Sequence, residues 1–305
     1  MKKIIIIFLL LFSSLVTACS NKNYDVVTST FIGYDAARAV MGDDSNIKML
    51  MKPGSDIHSY EPSATDIKIV LNAKVFIYVG GESDEWVSDI LINAKDDLIV
   101  INMFDILEDE LILEEGEDEY DEHIWTDPLN YIKIISEVSD ALIKYNPSNK
   151  AIYEKNTEKY INDLKIVDIS IRNVITKNNI KSIVVADRFP FAYFIKRYNL
   201  DYASAMNGCS SRSDIPAPKV ISLINKIEEE QLNYVFVIEL SDERIAKTIK
   251  YEIDSDISKK KYDGKSIEIK TLFSMQNISK SDFENKLTYI DFMNQNIKLL
   301  DNLNN

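Results

Sequence analysis

Apolar residues run along this chain in two rhythms. Short, nearly continuous runs rich in Val, Ile and Tyr appear as DVVTST, IKMLM, VFIYVG and LIVINM in the first half. SIVVA, LDYASAM, YVFVIE and SIEIKTLF follow in the second. Continuous apolar strands separated by amphipathic stretches predict parallel sheets covered by helices on both faces. Four such strands in each half predict an α/β fold of two similar lobes, each a parallel sheet flanked by helices. Between the halves, Tyr153, Tyr160, Leu164, Val167, Ile171 and Val174 form one stripe in a segment without Gly or Pro, residues 149 to 178. A helix of ~30 residues spans roughly 45 Å, so the pattern predicts one long backbone helix joining the lobes.

The start of the chain follows a different pattern. Lys2 and Lys3 precede the apolar run IIIIFLLLFSSLV, and VTAC follows, ending at Cys19. A basic start, a short apolar stretch and small residues read as a secretory signal peptide. The VTAC end resembles a bacterial lipobox, which implies cleavage before Cys19 and lipidation of its sulfur. Lipid chains bury about 0.8 kcal/mol per CH₂, so several on one cysteine anchor firmly. The expected organisation is a signal peptide at 1–18, an N-terminal α/β lobe at 19–148, a linking helix at 149–179 and a C-terminal α/β lobe at 180–305.

Composition narrows the partners. The chain holds 35 basic and 49 acidic residues, a net charge of −14. An excess of carboxylates disfavours nucleic acid and suits cationic ligands. With Cys19 lipidated, Cys209 is the one remaining cysteine, so no intramolecular disulfide forms and the fold rests on its core.

The chain has only two histidines. His58 follows the strand IKMLM and precedes Pro62, Ser63 and Asp66, a helix start. His123 precedes Asp127 and Pro128, an N-cap and first-turn pair. Both therefore lie in loops at the carboxyl ends of strands, the crevice side of an open α/β sheet. A lone loop histidine is usually solvated, but two in matching positions point to a shared role. Neutral imidazole suits zinc, manganese and iron, and carboxylates are expected to complete the set.

These histidine loops, PGSDIHSYEPSATDI and DEHIWTDPLN, resemble those of the cluster A-I metal-binding lipoproteins, the substrate-binding family of zinc and manganese ABC transporters. The stretches AKVFIYVGGESDEWVSDIL and NPSNKAIYEKNTEKYINDL are similar as well, with a weaker match at DFENKLTYIDFMNQNIKLL. The resemblance implies a non-enzymatic, lipid-anchored, extracytoplasmic monomer. It would bind a divalent transition metal, zinc or manganese, between its lobes and deliver it to an ABC permease in the membrane. His58 and His123 are the ligands it implies from the N-terminal lobe.

The C-terminal lobe departs from the family pattern. Arg188 in VVADRFPFAYFIKRY stands where the third ligand is expected, and a guanidinium has no lone pair to offer a cation. Phe273 stands at the fourth position. Asp187 and Glu239, both at strand ends, are the expected replacements, with Cys209 as a soft alternative if deprotonated. Other roles stay open: an ion pair or helix cap for Asp187, a structural carboxylate for Glu239, a buried thiol for Cys209. Residues 105 to 122 hold eleven carboxylates where zinc-binding relatives often carry histidines. This stretch is either a solvated loop or a weak cation collector. Two other functions compete. A metal-dependent hydrolase is disfavoured by the absence of HExxH or a dense His/Asp cluster. A surface adhesin on the same fold, with weak or lost metal binding, stays open.

Overall fold

The computed structural model describes residues 24–114, 118–206, 215–255 and 266–303, so Cys19 and Cys209 lie outside the described residues. Each half of the chain builds one four-stranded parallel sheet. The first contains β1 (Val26–Thr28), β2 (Ile47–Met49), β3 (Val75–Tyr78) and β4 (Ile99–Asn102), in the order β2-β1-β3-β4. The second contains β5 (Ser182–Val185), β6 (Asp201–Ser204), β7 (Tyr234–Val237) and β8 (Glu268–Thr271), in the order β6-β5-β7-β8. All eight apolar runs form strands. The central strands β1, β5 and β7 are buried along their whole length, which is why their sequences are continuous rather than alternating.

Helices cover both faces of each sheet. In chain order they are α1 (Phe31–Met41), α2 (Ala64–Asn72), α3 (Trp86–Leu91), α4 (Met103–Ile106), α5 (Pro128–Tyr145) and α6 (Lys150–Lys177). After these come α7 (Ala192–Tyr198), α8 (Ala217–Glu229), α9 (Arg244–Ile253), α10 (Lys280–Glu284) and α11 (Tyr289–Asp301). The start signals act as expected. Ser63 and Asp66 form a reciprocal capping box on α2, and Asp127 accepts from Leu129 N–H at 2.8 Å ahead of Pro128 on α5.

α6 is the 28-residue helix that the stripe predicts. Its apolar side, with Tyr153, Leu164, Val167 and Ile171, enters one core that joins the inner faces of both sheets. Two smaller cores lie under the outer faces. Polar anchors fix the helix to either lobe. Tyr160 donates to the buried Asp35 of α1 at 2.5 Å, and Asp168 accepts from Arg197 of α7 at 3.0 Å. The chain then returns: α11 packs on α6 and α1, with Phe292 edge-on to Phe31 at 5.9 Å between ring centroids. Among the described residues no helix is long and apolar enough to cross a membrane.

In both sheets the strand order reverses beside the first strand, at β1/β3 and at β5/β7. Such a switch point leaves a crevice at the carboxyl ends of the strands. The loops after β2, β3, β5, β7 and β8, and residues 121–123 beyond β4, all end there, so the two lobes face each other through them.

Candidate metal centre

The loop after β2 brings His58 to the crevice. Asp56 caps the short turn Ile57–Ser59, its Oδ1 accepting the His58 N–H at 3.1 Å. The His58 side chain is 14% exposed. Its Nδ1 lies 3.0 Å from Ser83 Oγ, in the loop after β3. That loop is fixed by the buried Asp84, which accepts from Val79 N–H at 2.8 Å, Gly80 N–H at 3.3 Å and Ser29 Oγ at 3.3 Å. Burial pushes the Asp84 carboxyl up to about 6, against the pull of those donors. The turn also needs Gly81. Its φ of +78° and ψ of −169° suit glycine almost alone, and a Cβ there would stand 2.6 Å from Glu122 Oε1.

The missing Cβ lets Glu122 approach the loop. Its Oε1 accepts from Ser83 N–H at 2.6 Å, while Oε2 lies 4.0 Å from His58 Nδ1. Ser83 thus ties the two together, its hydroxyl to the His58 ring and its N–H to the Glu122 carboxylate.

His123 is fully buried beside it. Its Nδ1 faces Asp121 Oδ1 at 3.1 Å, and its Nε2 faces Gln276 Oε1 at 2.8 Å, from the loop after β8. The two imidazoles stand 5.9 Å apart between centroids. Trp125 closes the far side, its ring 5.4 Å from His123 and its Nε1–H donating to Ser274 O at 2.8 Å.

Two features fit these residues to a cation. First, each Nδ1 faces an outer oxygen, Ser83 Oγ or Asp121 Oδ1, and donating an Nδ1–H there would turn the Nε2 lone pair inward, the tautomer that metal-binding histidines use. As placed, Gln276 Oε1 accepts from an Nε2–H of His123 at 2.8 Å and leaves the amide nitrogen buried without a partner. Rotated half a turn, the same amide donates to His123 Nε2. Second, His58 Nε2 and Glu122 Oε2 are buried with no hydrogen bond of ordinary geometry. Burial, the neighbouring His123 and then Arg188 lower His58 to about 4, so it is neutral at pH 7. Burial raises Glu122 to about 7, although the Ser83 bonds oppose the shift.

The two shifts give opposite pH dependences. Glu122 is raised, so its contribution to stability is present below its unfolded value near 4.5 and is lost as pH rises through about 7. Metal-free Glu122→Gln is therefore expected to exceed the parent in stability at pH 8 by on the order of 3 kcal/mol, converging with it near pH 4.5. His58 is lowered, so it costs stability as pH falls from about 6.5 through 4, equally in parent and variant. Urea unfolding at pH 4.5, 6 and 8 reads the difference, and a difference that ignores pH would remove the buried carboxylate from this account.

The C-terminal lobe contributes polar side chains of other kinds. Arg188 spans the crevice, donating to Asp56 Oδ1 at 3.2 Å and Oδ2 at 2.7 Å. Asp187 accepts from Arg188 N–H at 2.8 Å and from the Ser241 hydroxyl, bracing its own loop. Glu239 is buried and accepts from Ser274 N–H at 2.8 Å, Ser274 Oγ at 2.8 Å and Asn277 N–H at 3.1 Å. Both acids line a cavity of about 410 Å³ together with Asp56, Arg188 and Gln276. Neither turns onto the imidazoles: among the described residues no three His, Cys, Asp or Glu side chains converge closely enough to hold a metal. The carboxylates nearest the histidines are Asp121, 3.1 Å from His123 Nδ1, and Glu122, 4.0 Å from His58 Nδ1, both inside the acidic stretch. Part of that stretch folds back on itself, with Glu114 N–H donating to Glu119 O at 2.8 Å and Asp121 N–H to Ile112 O at 2.8 Å. Sequence reasoning did not single out Ser83, Asp121, Glu122 or Gln276. Adjacency to His123 was the available signal for the two acids.

Comparison with known proteins agrees with this architecture. The family model described as ZnuA, zinc-uptake complex component A periplasmic, matches residues 26–303. The zinc-binding lipoprotein AdcA of Streptococcus pneumoniae is 25% identical over 319 aligned positions, 98% of this chain and 60% of that protein. The chain thus spans about 60% of the length of that relative. The periplasmic zinc-binding protein TroA of Treponema pallidum superposes with a TM-score of 0.75 at 21% identity, over 92% of this chain and 99% of that one. A manganese-bound variant of a periplasmic metal-binding protein from Candidatus Liberibacter asiaticus gives 0.73 at 20%, over 92% and 100%. The family model covers nearly the whole described chain, and so this protein belongs to the ZnuA family of zinc-uptake components.

Proposed function

We propose that this chain is an extracytoplasmic receptor for a divalent transition metal, zinc or manganese, held at His58 and His123 and handed to an ABC importer. One observation carries the reading. The only two histidines of the sequence meet in one buried crevice, each with Nδ1 tied to an outer acceptor and Nε2 directed inward. Two imidazoles with a buried carboxylate nearby are donors that suit a divalent transition metal better than an anion. The ion would displace the Gln276 amide from His123 Nε2. Asp187 and Glu239 would shape the C-terminal wall rather than touch the ion. The names of AdcA and TroA support zinc, and the manganese-bound relative supports manganese as an alternative cargo. Family membership supports delivery to a permease, and the VTAC motif supports anchoring through Cys19. The mass of the mature protein, with and without Cys19→Ala, tests the anchor.

A second reading, an interaction lipoprotein with weak or lost metal binding, draws support from Arg188 in a ligand's place and from the engaged state of Asp187 and Glu239. Elemental analysis of chain purified without chelator separates the two, followed by calorimetric titration with zinc and with manganese. One ion per chain at sub-micromolar Kd supports the receptor. No metal and no heat at micromolar protein would leave the interaction protein.

A further inference from the structure

Asp56 and Arg188 belong to different lobes, in the loops after β2 and β5. Their contact is bidentate, the strongest form of arginine–carboxylate pairing. Other contacts between the lobes here, from Trp125 to Ser274 and from His123 to Gln276, are buried. The ion pair lies at the solvent edge, with Arg188 24% and Asp56 33% exposed.

The inward nitrogens beside the pair are closed to solvent, although the His58 side chain as a whole is 14% exposed. His58 Nε2 has essentially no accessible surface and His123 is fully buried. The cavity of about 410 Å³ is lined by Asp56, Arg188 and Gln276, but by neither histidine. Gln276 touches His123, and Asp56 bonds the backbone of His58. Through Gln276 and Asp56 the lining of the cavity thus adjoins both histidines.

We infer that the Asp56–Arg188 ion pair is the outer gate of the metal site, with Gln276 behind it, and that parting the pair sets how fast an ion enters and leaves. The pair suits this task. Arginine keeps its charge and an aspartate is ionised near neutral pH, so around pH 7 protons do not operate the gate. Its planar fork fixes one closed geometry, and at the crevice edge water can replace each bond as it opens. Asp56 also caps the turn that carries His58, so parting the pair loosens that imidazole at the same time.

The gating role rests on the metal-receptor reading, and the test keeps the two apart. Full-length chain loaded with zinc is mixed with excess EDTA in a stopped-flow instrument, for the parent, Asp56→Asn, Arg188→Met and the double variant. Asparagine keeps an oxygen to cap the His58 N–H, and methionine keeps most of the apolar stem. Each single variant is expected to release zinc about fivefold faster, and the double variant no faster than the quicker single, since both remove one interaction. Release at the parent's rate, or effects that multiply in the double variant, would overturn the gate. A parent that takes up no zinc instead refutes the receptor reading. The gate is then read by amide hydrogen exchange of residues 55–60 and 186–190 in the metal-free chain. Faster exchange in each single variant supports it, and unchanged exchange overturns it.

Discussion

Changing His123 to alanine is expected to weaken zinc binding by at least about 100-fold. Outer partners that merely orient a ligand typically cost 10- to 100-fold, and loss of the ligand itself costs more. His123 is fully buried and its Nε2 faces the interior of the crevice, so no solvent path offers the ion an equivalent donor. His58→Ala is expected to follow closely, because its Nε2 is the other inward nitrogen. Asp121→Asn and Ser83→Ala keep both imidazoles but loosen their Nδ1 bonds, so each should fall within the 10- to 100-fold range. Calorimetric titration ranks the four variants, and circular dichroism confirms that each is folded. His123→Ala binding zinc like the parent would move the site elsewhere in the chain.

This ranking also separates what the sequence reveals from what it hides. Strands such as VFIYVG and YVFVIE are legible because burial on both faces demands unbroken apolar runs, and the spine helix because nothing interrupts its stripe. The histidines stand out because there are only two. Their partners do not. Glu122 reads as one of eleven carboxylates in an acidic stretch, and only the fold shows that Gly81 leaves room for it against Ser83. Gln276 lies at the opposite end of the chain from His58, and glutamine carries no chemical signature in a sequence. Asp187 and Glu239 do lie at strand ends facing the crevice. Which way a strand-end carboxylate turns, however, depends on the donors of the next loops, and those are set by tertiary packing. The return of α11 across α6 and α1 has the same cause: its apolar stripe is readable, but not the surface that it will cover.

Glu239 gives the second large effect. Its carboxylate accepts three hydrogen bonds from residues 274 to 277, and burial raises its pKa against those bonds. The same short loop places Ser274 O on Trp125 and Gln276 on His123, and holds Met275 at a φ of +63°, a conformation that needs outside support. Glu239→Ala would strand two backbone N–H groups and a hydroxyl in a buried position. Each unsatisfied group costs about 1–3 kcal/mol, so a total loss of about 3–5 kcal/mol is expected, with a fall in Tm of roughly 10 °C. Asp187→Ala, at a partly buried position beside the open cavity, should cost under about 1.5 kcal/mol. Glu239→Gln decides what the carboxylate does. It keeps the shape and one acceptor oxygen, so it should recover much of the stability. If Glu239 acts by holding the loop, zinc affinity returns together with stability in the glutamine variant. If Glu239 binds the ion itself, the glutamine variant stays stable yet binds zinc as poorly as the alanine variant. Urea unfolding and zinc titration on the same two proteins distinguish these outcomes, and the bonding around Ser274 and Asn277 favours the first.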